Sequence, residues 1–295
     1  MIGHWQTIRA SLFPPPRASF QRERWDTPDG DFIDVDFAGA APAPRLMVLF
    51  HGLEGCSDSH YARLLALALP EAGWRVAIPH WRGCSGEPNR KPRAYHSGDT
   101  AEVDWILRRF ERQVDALGIS LGGNALLKWL GERGPEAKRF VRRAAAVSAP
   151  LDLAAAGRAL DRGLNRLIYT RMFLSTLKPK SLAQLERFPG LFDRARLSAS
   201  RTFREFDDTY TAPLHGFRDV DHYWNSSSSG PWLGRIEVPT LVINARNDPF
   251  LPEDALLSAT RKAAACVLLE LPRTGGHVGF RADWLRRRLL EFFRS

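Results

Sequence analysis

The 295-residue chain holds only three cysteines, Cys56, Cys84 and Cys266, scattered without any paired spacing. That excludes a disulfide framework and a CxxC-type metal site, and they are read as reduced thiols. Long apolar runs are missing too. The longest, such as Leu46-Met47-Val48-Leu49-Phe50, have the length of a strand, against the roughly 20 residues a membrane-spanning helix needs. The stretch from Met1 to Arg9 lacks the apolar core of a secretion signal, so a soluble, cytoplasmic protein is expected. Lysine is scarce at six residues, so the excess of 42 basic over 33 acidic side chains, a net charge of +9, is carried almost wholly by arginine. The arginines are dispersed from Arg9 to Arg294. Their densest run, Arg286-Arg287-Arg288, lies on an amphipathic helical pattern whose buried side is Trp284, Leu285, Leu289, Leu290, Phe292 and Phe293, and a solvated helix face accounts for it. The charge therefore implies no nucleic-acid partner. At most it allows weak peripheral contact with anionic lipid.

What is present is an ordinary globular composition, 44% hydrophobic and 25% charged, long enough for one large core with an appendage. Short apolar runs and helical patterns alternate. Strands are expected at Phe32–Phe37, Leu46–Phe50, Trp74–Pro79, Val114–Leu117, Ala144–Val147, Thr240–Asn244 and Cys266–Leu271. Helices are expected at Ser59–Ala72, Thr100–Arg109, Asn124–Glu132, Glu253–Ala263 and Asp283–Phe293. Such alternation argues an α/β fold with a mostly parallel sheet covered on both faces. The Asp29-Gly30 turn signal adds an antiparallel hairpin at its start. Pro14-Pro15-Pro16 reads as a stiff arm. The alternation stops at Pro150 and resumes near Pro239, so residues 1–150 and 234–295 are expected to form the core and residues 151–233 a helical cap, or lid, over the sheet's carboxyl edge. Within the insertion, Leu164, Leu167, Ile168, Met172, Phe173 and Leu174 are expected to pack onto the sheet in preference to facing a lipid-like substrate. Ser226 to Pro231 reads as a flexible or turn-forming segment.

The strongest local signal is Gly118-Ile119-Ser120-Leu121-Gly122-Gly123, between a strand and a helix. Glycines two before and two after Ser120 permit the sharp turn that lifts a serine hydroxyl out of the sheet, with the helix amino terminus behind it. A serine nucleophile needs a base, and the base an acid to orient it. Asp248 follows the strand ending near Ala245, and His277 follows the next strand, so Ser120, Asp248 and His277 occupy strand-end loops in the chain order this architecture requires. Asp254 lies a helical turn too late and Asp283 after the histidine, while His215 and His222 fall in the insertion. The backbone N–H groups of Leu121 and of Leu53, in His51-Gly52-Leu53-Glu54-Gly55, are the expected oxyanion donors. His51 reads as a loop-fixing hydrogen bonder and Arg82 as an anchor for the loop containing Cys84, for which no base is placed. His51, His60 and His80 have no coherent ligand spacing, so no metal is assigned, and the chemistry calls for no cofactor.

The segments His51 to Gly55, Arg82 to Asn89, Tyr95 to Gly98, Gly118 to Asn124, Thr202 to Asp208, Tyr210 to Pro213 and Asn244 to Pro252 together resemble the YheT-like esterase family of the α/β-hydrolase superfamily, from about Phe13 onward. The resemblance implies a serine carboxylesterase with a helical cap, acting on carboxylic esters or acylglycerols, with Ser120, Asp248 and His277 as its triad. Asn247 departs from the family, which often has a second Asp there. The same triad also serves acyl transfer or thioester cleavage, and the fold also serves non-catalytic ligand binding. Acyl-chain length, alcohol and oligomeric state are left open.

Overall fold

Strand-forming runs separated by helices, with few residues between them, leave the chain little choice but to build one sheet and cover it. The computed structural model describes residues 1–295. Its eight strands are β1 (Gln21–Asp26), β2 (Phe32–Ala38), β3 (Arg45–Phe50), β4 (Trp74–Pro79), β5 (Val114–Ile119), β6 (Val141–Val147), β7 (Thr240–Ile243) and β8 (Val267–Glu270). Nine helices of eight residues or more accompany them: α1 (Ile2–Leu12), α2 (His60–Glu71), α3 (Thr100–Arg108), α4 (Leu121–Arg133), α5 (Leu153–Leu160), α6 (Arg171–Arg187), α7 (Val220–Ser227), α8 (Glu253–Thr260) and α9 (Ala282–Arg294).

The strand order is β1-β2-β4-β3-β5-β6-β7-β8, with β1 and β2 antiparallel to their neighbours and the remainder parallel. Alternate residues of each central strand enter opposite cores, as the strand period of two requires. Leu46, Val48 and Phe50 join a core with α3, α4 and α8, while Met47 and Leu49 join a second core with α2 and α9. On α9, Leu285, Leu289, Phe292 and Phe293 are buried and Arg288 pairs with Glu270, as the amphipathic pattern implies.

β2 departs from its alternating pattern. All seven of its residues are buried, Asp34 and Asp36 included. The hairpin register sets Arg24 opposite Asp34 and Arg22 opposite Asp36, and each guanidinium clasps its partner with two hydrogen bonds. Paired charges on the edge hairpin thus stand where the pattern suggested water.

Between β6 and β7 the chain is mostly helical. Its return to the sheet is not loose: Ser227, Ser228 and Ser229 are buried, and Asn124, in the first turn of α4, bonds the backbone of Ser227 and Ser229 as well as Ser97. The expected packing of residues 164–174 onto the sheet is also corrected. Leu164, Leu167, Ile168 and Met172 face solvent, because Tyr169, Thr170, Phe173 and Leu174 supply the inward face of that helical run.

Candidate active site

The turn between β5 and α4 puts Ser120 at φ +52° and ψ −118°, a conformation L-residues rarely adopt. Its N–H donates to the Val147 carbonyl at 2.8 Å, which pins the turn to β6. The flanking glycines have steric reasons. A Cβ on Gly118 would lie 2.5 Å from the Gly122 carbonyl oxygen, and one on Gly122 would lie 2.6 Å from the His51 oxygen and closer still to that of Phe50. The elbow therefore packs backbone against backbone, and the neighbouring β3 loop arrives beside the serine: a Cβ on Gly52 would be 3.2 Å from that of Ser120.

That loop is held from below. His51 is fully buried, and burial together with His80 holds its imidazole down at about 3. Its Nε2 accepts the Trp81 N–H at 3.1 Å, so Nδ1 carries the proton and donates to the Gly52 carbonyl at 2.8 Å. The Gly52 N–H donates to the Tyr61 hydroxyl. The Leu53 N–H makes no hydrogen bond within the chain, and Leu121 opens α4, where N–H groups have no helical acceptor. Glu54 follows at φ +53°, its N–H donating to the Tyr95 hydroxyl, which in turn donates to the Glu54 carboxylate; Lys180 of α6 completes that cluster at 2.7 Å.

Asp248 stands in the loop after β7 with its side chain out of water. One oxygen accepts the Phe250 N–H and the other faces His277 Nδ1, both at 2.8 Å. A carboxylate only accepts, so Nδ1 carries a proton and His277 Nε2 is free to accept from Ser120 Oγ at 2.9 Å. Phe250 stacks on the imidazole with ring centroids 4.1 Å apart. The three expected residues thus form one hydrogen-bonded chain. Ser120 and His277 line a cavity of about 510 Å³ whose walls include Phe173, Leu177, Phe203, Phe206 and Trp224 from the segment between β6 and β7, with Asp248 behind them.

The other candidates have other uses, although Arg82 and Cys84 line the same cavity. Burial and Glu54 push the Cys84 thiol up to about 12, which leaves it protonated and a poor nucleophile. Arg82 is buried among Glu102, Asp31 and Asp29 and anchors its loop. His60, whose imidazole burial shifts down, donates from Nε2 to the Val278 carbonyl and so braces the residue after His277. His215 packs at a tilt against His96 and His222 accepts the Arg218 N–H. Asp254 lies in α8 and Asp283 in α9, beside Arg286.

Sequence reasoning missed α1. Its Thr7 Oγ1 accepts the His277 N–H at 2.8 Å and donates to the Gly3 carbonyl. Its Gln6 accepts from Gly275 N–H and from Asn247, whose own side-chain oxygen accepts the Gly276 N–H. Asn247 is therefore the clasp between α1 and the His277 loop, a use for which an amide, donor and acceptor at once, suits better than a carboxylate. No motif signals this, since the partners lie about 270 positions apart.

Residues 45–281 match the family model described as alpha/beta hydrolase fold. Escherichia coli has a relative, "Putative esterase YheT", 40% identical over 289 residues that span 94% of this chain and 84% of that protein. Phospholipase ABHD3 of Mus musculus is 28% identical, covering 94% of this chain and 71% of its own length. Among solved structures, an esterase from Exiguobacterium antarcticum superposes with a TM-score of 0.63 at 17% identity, over 93% of this chain and all of that one.

Proposed function

The chain belongs to the α/β-hydrolase fold family, and on that premise we propose that it is a serine esterase cleaving carboxylic esters through an acyl-enzyme. The observation that carries this reading is the unbroken hydrogen-bonded path from Ser120 Oγ through His277 to Asp248, whose first two members line a largely apolar cavity.

Ser120 attacks the ester carbonyl while His277 Nε2 takes its proton. Asp248 holds the imidazole tautomer and stabilises the imidazolium. The negative charge developing on the carbonyl oxygen is received by the Leu53 and Leu121 N–H groups, which have no competing acceptor in the chain. His277 returns the proton to the departing alkoxide, then takes one from the water that releases the acid. No metal or cofactor enters these steps.

Residues 151–233 act as a cap that shapes the acyl pocket, with residues 1–150 and 234–295 as the catalytic core. The aromatic and leucine lining favours an apolar acyl chain, and a cavity of about 510 Å³ lies within the roughly 300–1,000 Å³ range of small-molecule sites. The names of the relatives, an esterase and a phospholipase, agree with an ester of lipid character. A fluorophosphonate probe should label the wild type and leave Ser120→Ala unlabelled, and p-nitrophenyl esters from acetate to palmitate should be turned over by the first protein only. Equal labelling of the two proteins would refute the assignment.

A further inference from the structure

An ordinary surface helix turns its apolar side inward and its polar side to water. α1 does the reverse. Its inward face is Gly3, Gln6 and Thr7, which meet the Asn247 and His277 loops through close backbone packing and hydrogen bonds. Its outward face carries Ile2, Trp5 and Leu12, spaced three and seven residues apart and followed by Phe13; these four side chains are between 61% and 72% exposed. Beside α1 lies the helical run that leads into α6: His4 stacks on Tyr169 with centroids 5.7 Å apart, and Ile8 packs against the cluster of Tyr169 and Phe250. That run exposes Leu164, Leu167, Ile168 and Met172. Two adjoining elements thus turn eight large apolar side chains to solvent, and these make up most of the exposed large hydrophobics of the whole chain.

The charge carried by the two elements themselves is of one sign, with Asp161 and Glu205 lying beyond them on the side of Arg166. No Asp or Glu occurs at positions 1–22 or 162–185. Arg9 lies on the outward stripe of α1, and Arg162, Arg166 and Arg171 accompany the second element; all four are exposed and none forms an ion pair. Elsewhere arginines are widely matched with carboxylates, as at Arg22, Arg24, Arg63, Arg82 and Arg204.

We propose that the outer faces of α1 and of residues 164–172 together form a docking surface for an anionic lipid bilayer. Apolar side chains entering the acyl boundary, ringed by unpaired guanidiniums at headgroup level, are the pattern by which interfacial helices bind. The placement also matters for the site. On α6, Met172 points to solvent while the next residue, Phe173, lines the cavity, so the docked surface adjoins the wall of the acyl pocket. The inner face of α1 meanwhile holds the His277 loop.

The test is co-sedimentation with vesicles of phosphatidylglycerol and phosphatidylcholine in equal parts, and with phosphatidylcholine alone. Wild type should pellet with the anionic vesicles, bind pure phosphatidylcholine roughly tenfold more weakly, and be released by high salt. The double variant Trp5→Ser/Leu167→Ser, and separately Arg162→Gln/Arg166→Gln, should bind anionic vesicles at least about tenfold more weakly while keeping wild-type melting midpoints and wild-type turnover of a soluble p-nitrophenyl ester. Wild type that stays in the supernatant with anionic vesicles, or variants that pellet as wild type does, would overturn the proposal. So would a wild-type dimer that Trp5→Ser/Leu167→Ser converts to monomer, since a second copy would then cover the face. Soluble-ester turnover is read without vesicles, so failure of the esterase assignment is recognised separately.

Discussion

Thr7→Val isolates the contribution of α1 to the chemistry. Valine keeps the shape of threonine and deletes one hydroxyl, which in the wild type accepts the His277 N–H and donates to the Gly3 carbonyl, both at 2.8 Å. Thr7 is buried, so water does not readily replace that acceptor. An amide donor left without a partner costs about 1–3 kcal/mol. If the loop relaxes to recover that energy, the conformation with His277 Nε2 aimed at Ser120 becomes a minor state, and kcat should fall roughly 5- to 150-fold. KM should change little, because Thr7 is not among the residues lining the cavity. The assay is steady-state hydrolysis of a short p-nitrophenyl ester, with thermal melting in parallel. Thr7→Ser restores the hydroxyl and should recover most of the lost kcat. Wild-type kcat in Thr7→Val, or a Thr7→Ser variant as slow as Thr7→Val, would refute the claim that this hydrogen bond positions the histidine.

Gly122→Ala should cost about 3 kcal/mol or more, because the added methyl meets the backbone carbonyls of Phe50 and His51 and neither can turn aside. Melting and turnover should fall together, and a wild-type melting midpoint would contradict the packing argument. Asp207 is half-buried in the cavity wall, and its removal from water raises its carboxyl to about 6 despite hydrogen bonds from Thr211 and Trp224. Folded protein thus holds this proton more tightly than unfolded protein does. Its stabilising effect is complete below about pH 4 and is lost as pH rises through about 6, a difference of about 3 kcal/mol. Asp207→Asn should therefore melt several degrees above wild type near pH 8 and match it near pH 4. The opposite order at the higher pH would show that the carboxylate is better satisfied than its burial implies.

The parts of this molecule that could be read from sequence are those whose physics is local. Gly118, Ser120 and Gly122 announce a turn within five residues, and Asp248 and His277 each follow a recognisable strand, so their meeting required only the parallel order of the sheet. The features that escaped depend on what the chain brings from afar. Asp34 and Asp36 looked like the wet side of a strand because the arginines that neutralise them lie in β1, across the hairpin. The serines at 227–229 looked loose because Asn124, which fixes their backbone, is about 100 residues away. α1 showed no buried apolar stripe to find, since its inward contacts are hydrogen bonds and glycine packing. Leu164, Leu167, Ile168 and Met172 give their segment the composition of a core helix and yet lie at the surface. There the pattern identified the helix and misjudged its environment.

The clasp between α1 and the His277 loop also orders events in time. It joins residues 3–7 to residues 247 and 275–279, a separation of about 270 positions. A ribosome adding about 5–20 residues per second needs some tens of seconds to travel that far. Throughout that interval α1 exists without the surface its polar face is made for, and over the last 157 residues of it Ser120 waits for the proposed base, His277. On the proposed assignment a nascent chain is accordingly a mute hydrolase, armed only when its last strand-end loop folds back onto its first helix.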